Sequence, residues 1–390
     1  MSDIQSYGEK MRVRGLSLAA FRNYESLNLA FSGQHVVLTG HNGAGKTNIL
    51  EAISLLSPGK GLRRAGYNEL IHGAYDKNLA SKQNGFTIFA RLECDIYGEA
   101  QIGTGINDNE STRKVRINGA NASADNLLEY SRISWLIPAM DGLFTGTLSD
   151  RRRFLDRLVM GLDPLHGRRV INFEKAMRSR NKLLSDNVDD AYWMSALEAQ
   201  MAELGVAIAA ARKEMVRLMG AMIEKMLLNS LFPMSVLSAT GLLEAKLDEA
   251  AAVDVEEDYR ALLEQNRPLD ARAGRTLEGP HRSDLEVSHL IKSMPAALCS
   301  TGEQKALLTG LILSHARLIG EVSGMTPILL LDEIAAHLDP LRRIALFEIL
   351  DQLQAQAFMT GTDHALFVGL EGRAQFLSVK ENHVEAYHNA

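Results

Sequence analysis

The run Gly40-His41-Asn42-Gly43-Ala44-Gly45-Lys46-Thr47 brings together groups that suit a phosphate chain. Glycine lets a tight turn aim its N–H groups at one point, lysine adds a long cationic arm, and threonine adds a hydroxyl that can bind a hard cation. The amides of Asn42, Gly43, Ala44 and Gly45 would cradle α- and β-phosphates, Lys46 would reach the β- and γ-phosphates, and Thr47 would ligate Mg²⁺. Far downstream, Ile328-Leu329-Leu330-Leu331 runs into Asp332-Glu333. Asp332 suits a contact to Mg²⁺, and Glu333 suits a general base or water-orienting group. Lys46 and Glu333 are the expected catalytic residues, with ATP and Mg²⁺ the expected cofactors.

Particular elements must deliver these groups to one place. Val36-Val37-Leu38 reads as an apolar strand, and Thr47-Asn48-Ile49-Leu50-Glu51-Ala52-Ile53 reads as the helix that follows. The phosphates would then lie on a helix N-terminus, with Asn48 in its first turn. The apolar residues before Asp332 read as a buried strand, and open α/β sheets bind ligands at the C-terminal ends of such strands.

A third run, Ser300-Thr301-Gly302-Glu303-Gln304-Lys305, opens the apolar helix Ala306-Leu307-Leu308 shortly before that strand. Alone it fits either a Ser-to-Glu helix cap or a helix start that faces phosphate. Followed by the Leu329 to Glu333 run and then Ala336-His337-Leu338-Asp339, it resembles the signature, Walker B and D-loop order of ABC-type ATPases. Phe21-Arg22-Asn23-Tyr24-Glu25, Lys46 to Ile53, Arg151-Arg152-Arg153-Phe154-Leu155-Asp156 and Gly279-Pro280-His281-Arg282-Ser283-Asp284-Leu285 narrow the likeness. These closely resemble the RecF family, bacterial recombination mediators related to SMC proteins. The likeness touches nearly the whole chain and is thinnest across its helical middle and its termini.

The resemblance implies an α/β fold, an ABC-type P-loop ATPase head with an inserted helical arm domain. It implies slow Mg-dependent ATP hydrolysis, coupled to DNA binding and dimer dissociation. The implied role is in recombinational repair and replication restart: an ATP-dependent homodimer clamps duplex DNA near gaps or junctions and helps recombinase loading. RecR and RecO are the implied protein partners. Ser300, Gly302 and Gln304 of one subunit would face the γ-phosphate held by the other, and Asp339 would communicate across the dimer. Thr362 would stand at the switch position, with His364 a second candidate. The chain departs from the pattern in two places. Pro138-Ala139-Met140-Asp141 lacks a Q-loop glutamine and leaves Asp141 for that role, and Ser283 stands where the RecF family usually carries an acid.

Up to about Asp141 the chain reads as short strands and turns, such as Phe86 to Ala90, Lys114 to Ile117 before Asn118-Gly119, and Ile133 to Ile137 before Pro138. Helical periodicity follows. Val170, Phe173, Met177 and Leu184 share one face, and Leu197, Met201, Leu204, Ile208, Ala211, Met215, Leu218 and Met222 alternate spacings of four and three. That seam fits core packing, an antiparallel helical hairpin or a short coiled coil. Strand and turn character resumes after Arg267-Pro268. The expected division is therefore 1–150 and 276–390 for the ATPase domain and 151–275 for the arm.

A chain of 390 residues, 46% hydrophobic and 23% charged, suits a globular protein of more than one domain. No stretch approaches the roughly 18 apolar residues that span a bilayer, and the run Met1 to Lys10 lacks a signal-peptide core, so a cytoplasmic protein without a membrane partner is expected. Cys94 and Cys299 have neither metal-ligand spacing nor a disulfide framework. A net charge of −6 requires any DNA site to be a local patch. Between Arg151 and Lys182 stand ten Lys/Arg and three acids. Arg151, Arg152, Arg153 and Arg157 are the first DNA-binding candidates, and Arg63 and Arg64, in the basic turn from Gly59, the second. A solvated helix face is the plainer account of such a run. Two other functions compete. An ATPase subunit of an ABC transporter would carry a clearer Q-loop glutamine and switch histidine, and a small-molecule kinase would need neither the Ser300 run nor Asp339.

Overall fold

The computed structural model describes residues 10–73, 85–94, 98–107, 110, 112–186, 190–228 and 230–387; most of the N-terminal run Met1 to Lys10 lies outside them. In chain order the elements are β1 (Met11–Phe21), β2 (Tyr24–Ala30), β3 (His35–Thr39), α1 (Lys46–Ser54), β4 (Phe86–Cys94), β5 (Gly98–Ile106), β6 (Lys114–Ile117), β7 (Ala120–Ala122) and β8 (Ile133–Leu136). Next come α2 (Leu148–Leu162), α3 (His166–Ser185), α4 (Ala191–Leu227), β9 (Ser235–Thr240), α5 (Leu242–Glu249), α6 (Ala252–Gln265), α7 (Arg267–Ala273), β10 (Asp284–His289) and β11 (Met294–Pro295). The chain ends with α8 (Thr301–Ser323), β12 (Ile328–Leu331), α9 (Pro340–Leu353), β13 (Ala357–Gly361), β14 (Ala374–Lys380) and β15 (His383–Ala386).

These elements gather into two compact units. One comprises Met1–Asp141, Asn229–Phe232 and Leu308–Ala390; the other comprises Gly142–Leu228 and Pro233–Leu307. The second unit is wider than the expected 151–275, because β9 pairs with β10 along Asp284↔Thr240 to His289↔Ser235 and so ties the returning chain to the helices.

The first unit holds two six-stranded sheets. One is antiparallel, in the order β2-β1-β4-β5-β6-β7. Its β6–β7 hairpin turns on Asn118 and Gly119, both with positive φ, as a two-residue turn matched to strand twist requires. In β1 the buried side chains step from Val13 to Leu16, which a period of two forbids, and a bulge between Val13 and Gly15 resets the face. The backbone groups of Val13 bond to a side chain: Val13 N–H donates to Gln356 Oε1 at 2.7 Å, and Gln356 Nε2 donates back to Val13 O at 3.2 Å.

The other sheet runs β15-β14-β3-β13-β12-β8, parallel except for β15. Its central strands are mostly apolar and buried on both faces, as parallel strands are, with His35, Thr39 and Thr360 as buried polar residues among them. Helix α1 sends Ile49, Leu50 and Ile53 into a core shared with Leu16, Leu18 and Ile88 of the first sheet and Val36, Leu330 and Phe358 of the second.

In the second unit α4 runs 37 residues, about 55 Å. Its buried face is broader than a heptad seam: Ala202, Val206, Ala209 and Met219 are buried, whereas Leu204, Ala211 and Leu218 are only half-buried. A straight helix drifts from a 3.5-residue repeat, so α4 is a core helix packed by α3 and α6. Among the described residues no helix is long and apolar enough to cross a membrane.

Candidate nucleotide site

Strand β3 delivers the chain to a loop that only glycine can form. Gly40 has φ +152°, and a Cβ there would lie 2.2 Å from the Val379 carbonyl oxygen. Gly45 has φ +107°, and a Cβ there would lie 2.3 Å from Asn23 Nδ2 and 2.6 Å from Tyr24 Oη. Gly45 is also the N-cap of α1 and offers no capping side chain, so the first-turn amides are left for an anion. Lys46 Nζ donates to the carbonyls of Gly40 at 2.6 Å and His41 at 2.9 Å. Burial lowers the pKa of this amine, while the charges of Glu333 and Asp332 act to raise it.

The acids arrive from the neighbouring strands. Thr47 Oγ1 lies 3.0 and 3.1 Å from the two oxygens of the buried Asp332 carboxylate. Strand β13 lies between β3 and β12 in the sheet, and Thr360 near its end donates to Asp332 Oδ1 at 2.6 Å. The same hydroxyl accepts from Glu333 N–H at 2.9 Å. Glu333 itself has φ +53°, a conformation that costs a non-glycine residue of order 1 kcal/mol or more unless its surroundings hold it. A hydroxyl beside a carboxylate is a hard-oxygen donor pair of the kind Mg²⁺ takes, so Thr47 and Asp332 fit the ion. The site can therefore grip a polyphosphate through α1 and Lys46, hold a cation at Thr47 and Asp332, and present Glu333 to a water.

Behind the loop lies a polar chain that ties Asn48 and Arg63, both candidates from the sequence, to Asn23, Glu51 and Arg22. Asn23 Nδ2 donates to Ala44 O at 3.5 Å, and Asn48 Nδ2 donates to Asn23 Oδ1 at 2.6 Å. Arg63 Nη1 donates to Asn48 Oδ1 at 2.6 Å and to Glu51 Oε2 at 3.1 Å. Glu51 is wholly buried in α1 and is gripped at both oxygens by Arg22, each at 2.8 Å. Breaking such a pair from one side costs about 3–5 kcal/mol, so Arg22 belongs to the architecture of the loop. Asn42 and Gly43 are exposed at its rim, and no atom lies within 4 Å of where a Gly43 Cβ would be.

The family model for the RecF/RecN/SMC N-terminal domain matches residues 12–384. The DNA replication and repair protein RecF of Brucella suis biovar 1 (strain 1330) is 59% identical over 377 residues, 96% of each chain. The chain belongs to the RecF family. Its fold agrees: the solved recombination mediator protein RecF-ATPrS of the RecFOR pathway superposes with a TM-score of 0.84 at 22% identity, covering 98% of this chain and 100% of that one. The corresponding RecF-ATP structure gives 0.83 at 21%, covering all of both chains. The α/β head with an inserted helical arm, expected from the sequence, is thus the fold of the RecF and SMC heads.

The remaining RecF-family motifs fall as follows. In the first unit, Asp339 caps α9, accepting from Arg342 N–H at 3.0 Å, and its side chain is half exposed. Thr362 is exposed just beyond β13, whereas the His364 ring is stacked on Tyr387 at 4.4 Å and packed against Phe376 at 4.5 Å. Asp141 is half-buried after the short 3₁₀ turn that follows β8. In the second unit, Ser300 and Glu303 form the reciprocal cap: Ser300 Oγ and N–H both approach Glu303 Oε2, at 2.9 and 3.1 Å. Lys292 pairs with Glu303 and, with the Ser300 bonds, holds that carboxyl down to about 2. Ser300 and Gly302 are exposed, while Gln304 is buried and donates to Cys299 O at 2.9 Å. The helix cap is therefore formed, with Ser300 bonded within it and both Ser300 and Gly302 exposed.

The basic run divides sharply. Arg180 is fully buried, bonded to Glu198, Asp270, Thr276 and the Leu263 carbonyl. Arg151 is engaged by Asp284, and Arg152 donates to Ser283 O at 2.9 Å. The Arg157 guanidinium lies over the Phe154 ring at 5.4 Å. Arg153 is exposed and pairs with Asp150 at 3.1 Å. Arg168, Lys175, Arg178 and Lys182 are exposed on α3 at spacings that keep them on one face. Arg63 is held as described above, and Arg64 beside it is exposed with φ +57°. Sequence reasoning missed Thr360, although a hydroxyl ending the buried Ala357-Phe358-Met359 run was a signal open to it.

Proposed function

We propose that this chain is a slow, Mg²⁺-dependent ATPase of recombinational repair and replication restart that pairs with a second copy on ATP and closes on duplex DNA near gaps or junctions. The observation that carries the reading is the meeting of the Thr47 hydroxyl and the Asp332 carboxylate beside Lys46 and Glu333. Lys46 and the α1 amides hold the phosphates, Thr47 and Asp332 hold the ion, and Glu333 orients the attacking water. Bound Mg²⁺ would supply charge neutralisation at the β- and γ-phosphate oxygens. The exposed Ser300 and Gly302 would complete the site of a second copy, with Gln304 shaping their loop and Asp339 and Thr362 reporting the state of the phosphate.

The DNA role is supported by relatives that are named DNA replication and repair proteins. Its contacts would come from Arg64, Arg153 and the outer face of α3, which hold the exposed cations described above. Hydrolysis would release the dimer from DNA. Recombinase loading in the cytoplasm, with RecR and RecO as partners, completes the proposal.

The Glu333→Gln variant tests the chemistry. It should bind ATP as the wild type does, lose hydrolysis by about a hundredfold or more, and accumulate as a dimer in gel filtration with ATP. Near-normal steady-state turnover would remove Glu333 from the mechanism. A wild-type chain that stays monomeric with ATP and gapped duplex would point instead to the kinase reading.

A further inference from the structure

We propose that Thr360 is the positioning residue that fixes both acids of the site through one hydroxyl, which makes β13 the element that sets the spacing between cation and water. The inference rests on the ATPase reading above. Its basis is an arrangement of three groups. The Thr360 hydroxyl has one hydrogen, and the 2.6 Å contact spends it on Asp332 Oδ1. Its lone pair accepts the Glu333 N–H at 2.9 Å. Thr47 Oγ1 lies across the same carboxylate, 3.0 Å from Oδ1 and 3.1 Å from Oδ2.

Each contact fixes a different degree of freedom. The bond to Asp332 selects the carboxylate rotamer in which β13 holds Oδ1 while both oxygens stay within reach of the Thr47 hydroxyl. The bond to Glu333 N–H holds a left-handed backbone, and that backbone determines where the Glu333 carboxylate can reach. Thr360 is itself fully buried, and its Cα stands in register with Leu38 of β3, the strand that leads into the phosphate loop. The exposed Thr362 follows two residues later on the same chain. A shift of the Thr362 segment therefore reaches Asp332 and Glu333 together, through a single atom.

Two substitutions separate this role from packing. Thr360→Val keeps the branched shape and removes the hydroxyl; Thr360→Ser keeps the hydroxyl. Losing hydrogen bonds to a charged group and to a buried N–H should lower kcat of Thr360→Val by about ten- to a hundredfold. Binding of a fluorescent ATP analogue without Mg²⁺ should stay within about threefold of wild type, because Lys46 and the loop are untouched. The Mg²⁺ concentration that half-saturates its tightening of analogue binding should rise about fivefold or more, a readout independent of turnover. Thr360→Ser should restore both quantities to within about threefold.

Thermal unfolding of each variant checks the fold, and Thr360→Ser provides the test if the valine variant is unstable: a serine variant as defective as an alanine one would overturn the proposal. Wild-type kcat and Mg²⁺ dependence in Thr360→Val would overturn it equally. Either result would leave the ATPase reading intact if Glu333→Gln still abolishes hydrolysis, whereas an inactive wild type would strike that reading itself.

Discussion

Arg151 gives two guanidinium nitrogens to the two carboxylate oxygens of Asp284, at 2.7 and 2.8 Å, with both side chains largely covered. A third nitrogen donates to Gly146 O at 2.9 Å. The arginine at the head of the basic run is thus a clasp between α2 and β10.

Arg151→Ala should therefore lower unfolding stability by about 1.5–3 kcal/mol, measured by urea denaturation, and a double-mutant cycle with Asp284→Ala should recover much of that loss as coupling. The slope of log affinity for duplex DNA against log salt should stay unchanged in Arg151→Ala. Replacing Arg168, Lys175, Arg178 and Lys182 by glutamine should flatten that slope, by at most about 0.9 for each phosphate no longer neutralised. The opposite pattern would return DNA binding to Arg151.

Ser300→Arg should bind a fluorescent ATP analogue as a monomer and fail to dimerise, since a bulky cation would occupy the place of a γ-phosphate offered by a second copy. Mixed with Lys46→Ala, it should recover at most one of the two sites of a dimer. Full ATP-dependent dimerisation of Ser300→Arg, read by light scattering, would leave the Ser300–Glu303 pair as a helix cap and nothing more.

His35 is fully buried at the start of β3, and burial lowers its pKa below the ordinary 6.5 despite the Asp351 carboxylate at 3.1 Å. The unfolded chain then takes up a proton that the folded chain refuses, so this histidine's contribution is intact above pH 6.5 and is lost as pH falls below it. Urea midpoints at pH 7.5, 6.0 and 5.0 should decline less steeply in His35→Asn than in wild type. Equal slopes would show that the imidazole does not govern acid sensitivity in this range.

The site was legible in the sequence where chemistry is written locally. Gly40 to Thr47 spells out turn, cation and hydroxyl in consecutive letters, and the apolar run before Asp332 marks both strand and ligand end. Asn118-Gly119 declared its hairpin for the same reason, since few residue pairs accept two positive φ values. The fate of a charge was not legible. Arg151 and Arg180 look alike in the run, yet one finds Asp284 133 positions away and the other is enclosed by Glu198, Asp270 and Thr276. Partners of that kind are set by topology. Thr360 shows in the sequence only as a hydroxyl ending an apolar run; its place beside both acids comes from the order β3-β13-β12, which sequence proximity does not reveal.

Gln356 lends the bulge in β1 a side-chain amide that behaves as a detached peptide group, with one acceptor and one donor meeting Val13 N–H and Val13 O. It is only 1% exposed, where a hydrophobic side chain would ordinarily be preferred. A leucine of similar size would strand two main-chain groups, glutamate would set an acceptor against an acceptor, and asparagine would be a methylene short. Hydrolysis of this one amide to an acid, the chemistry of protein ageing, would therefore set a carboxylate oxygen against Val13 O at the seam between the two sheets while leaving every residue of the phosphate loop unaltered.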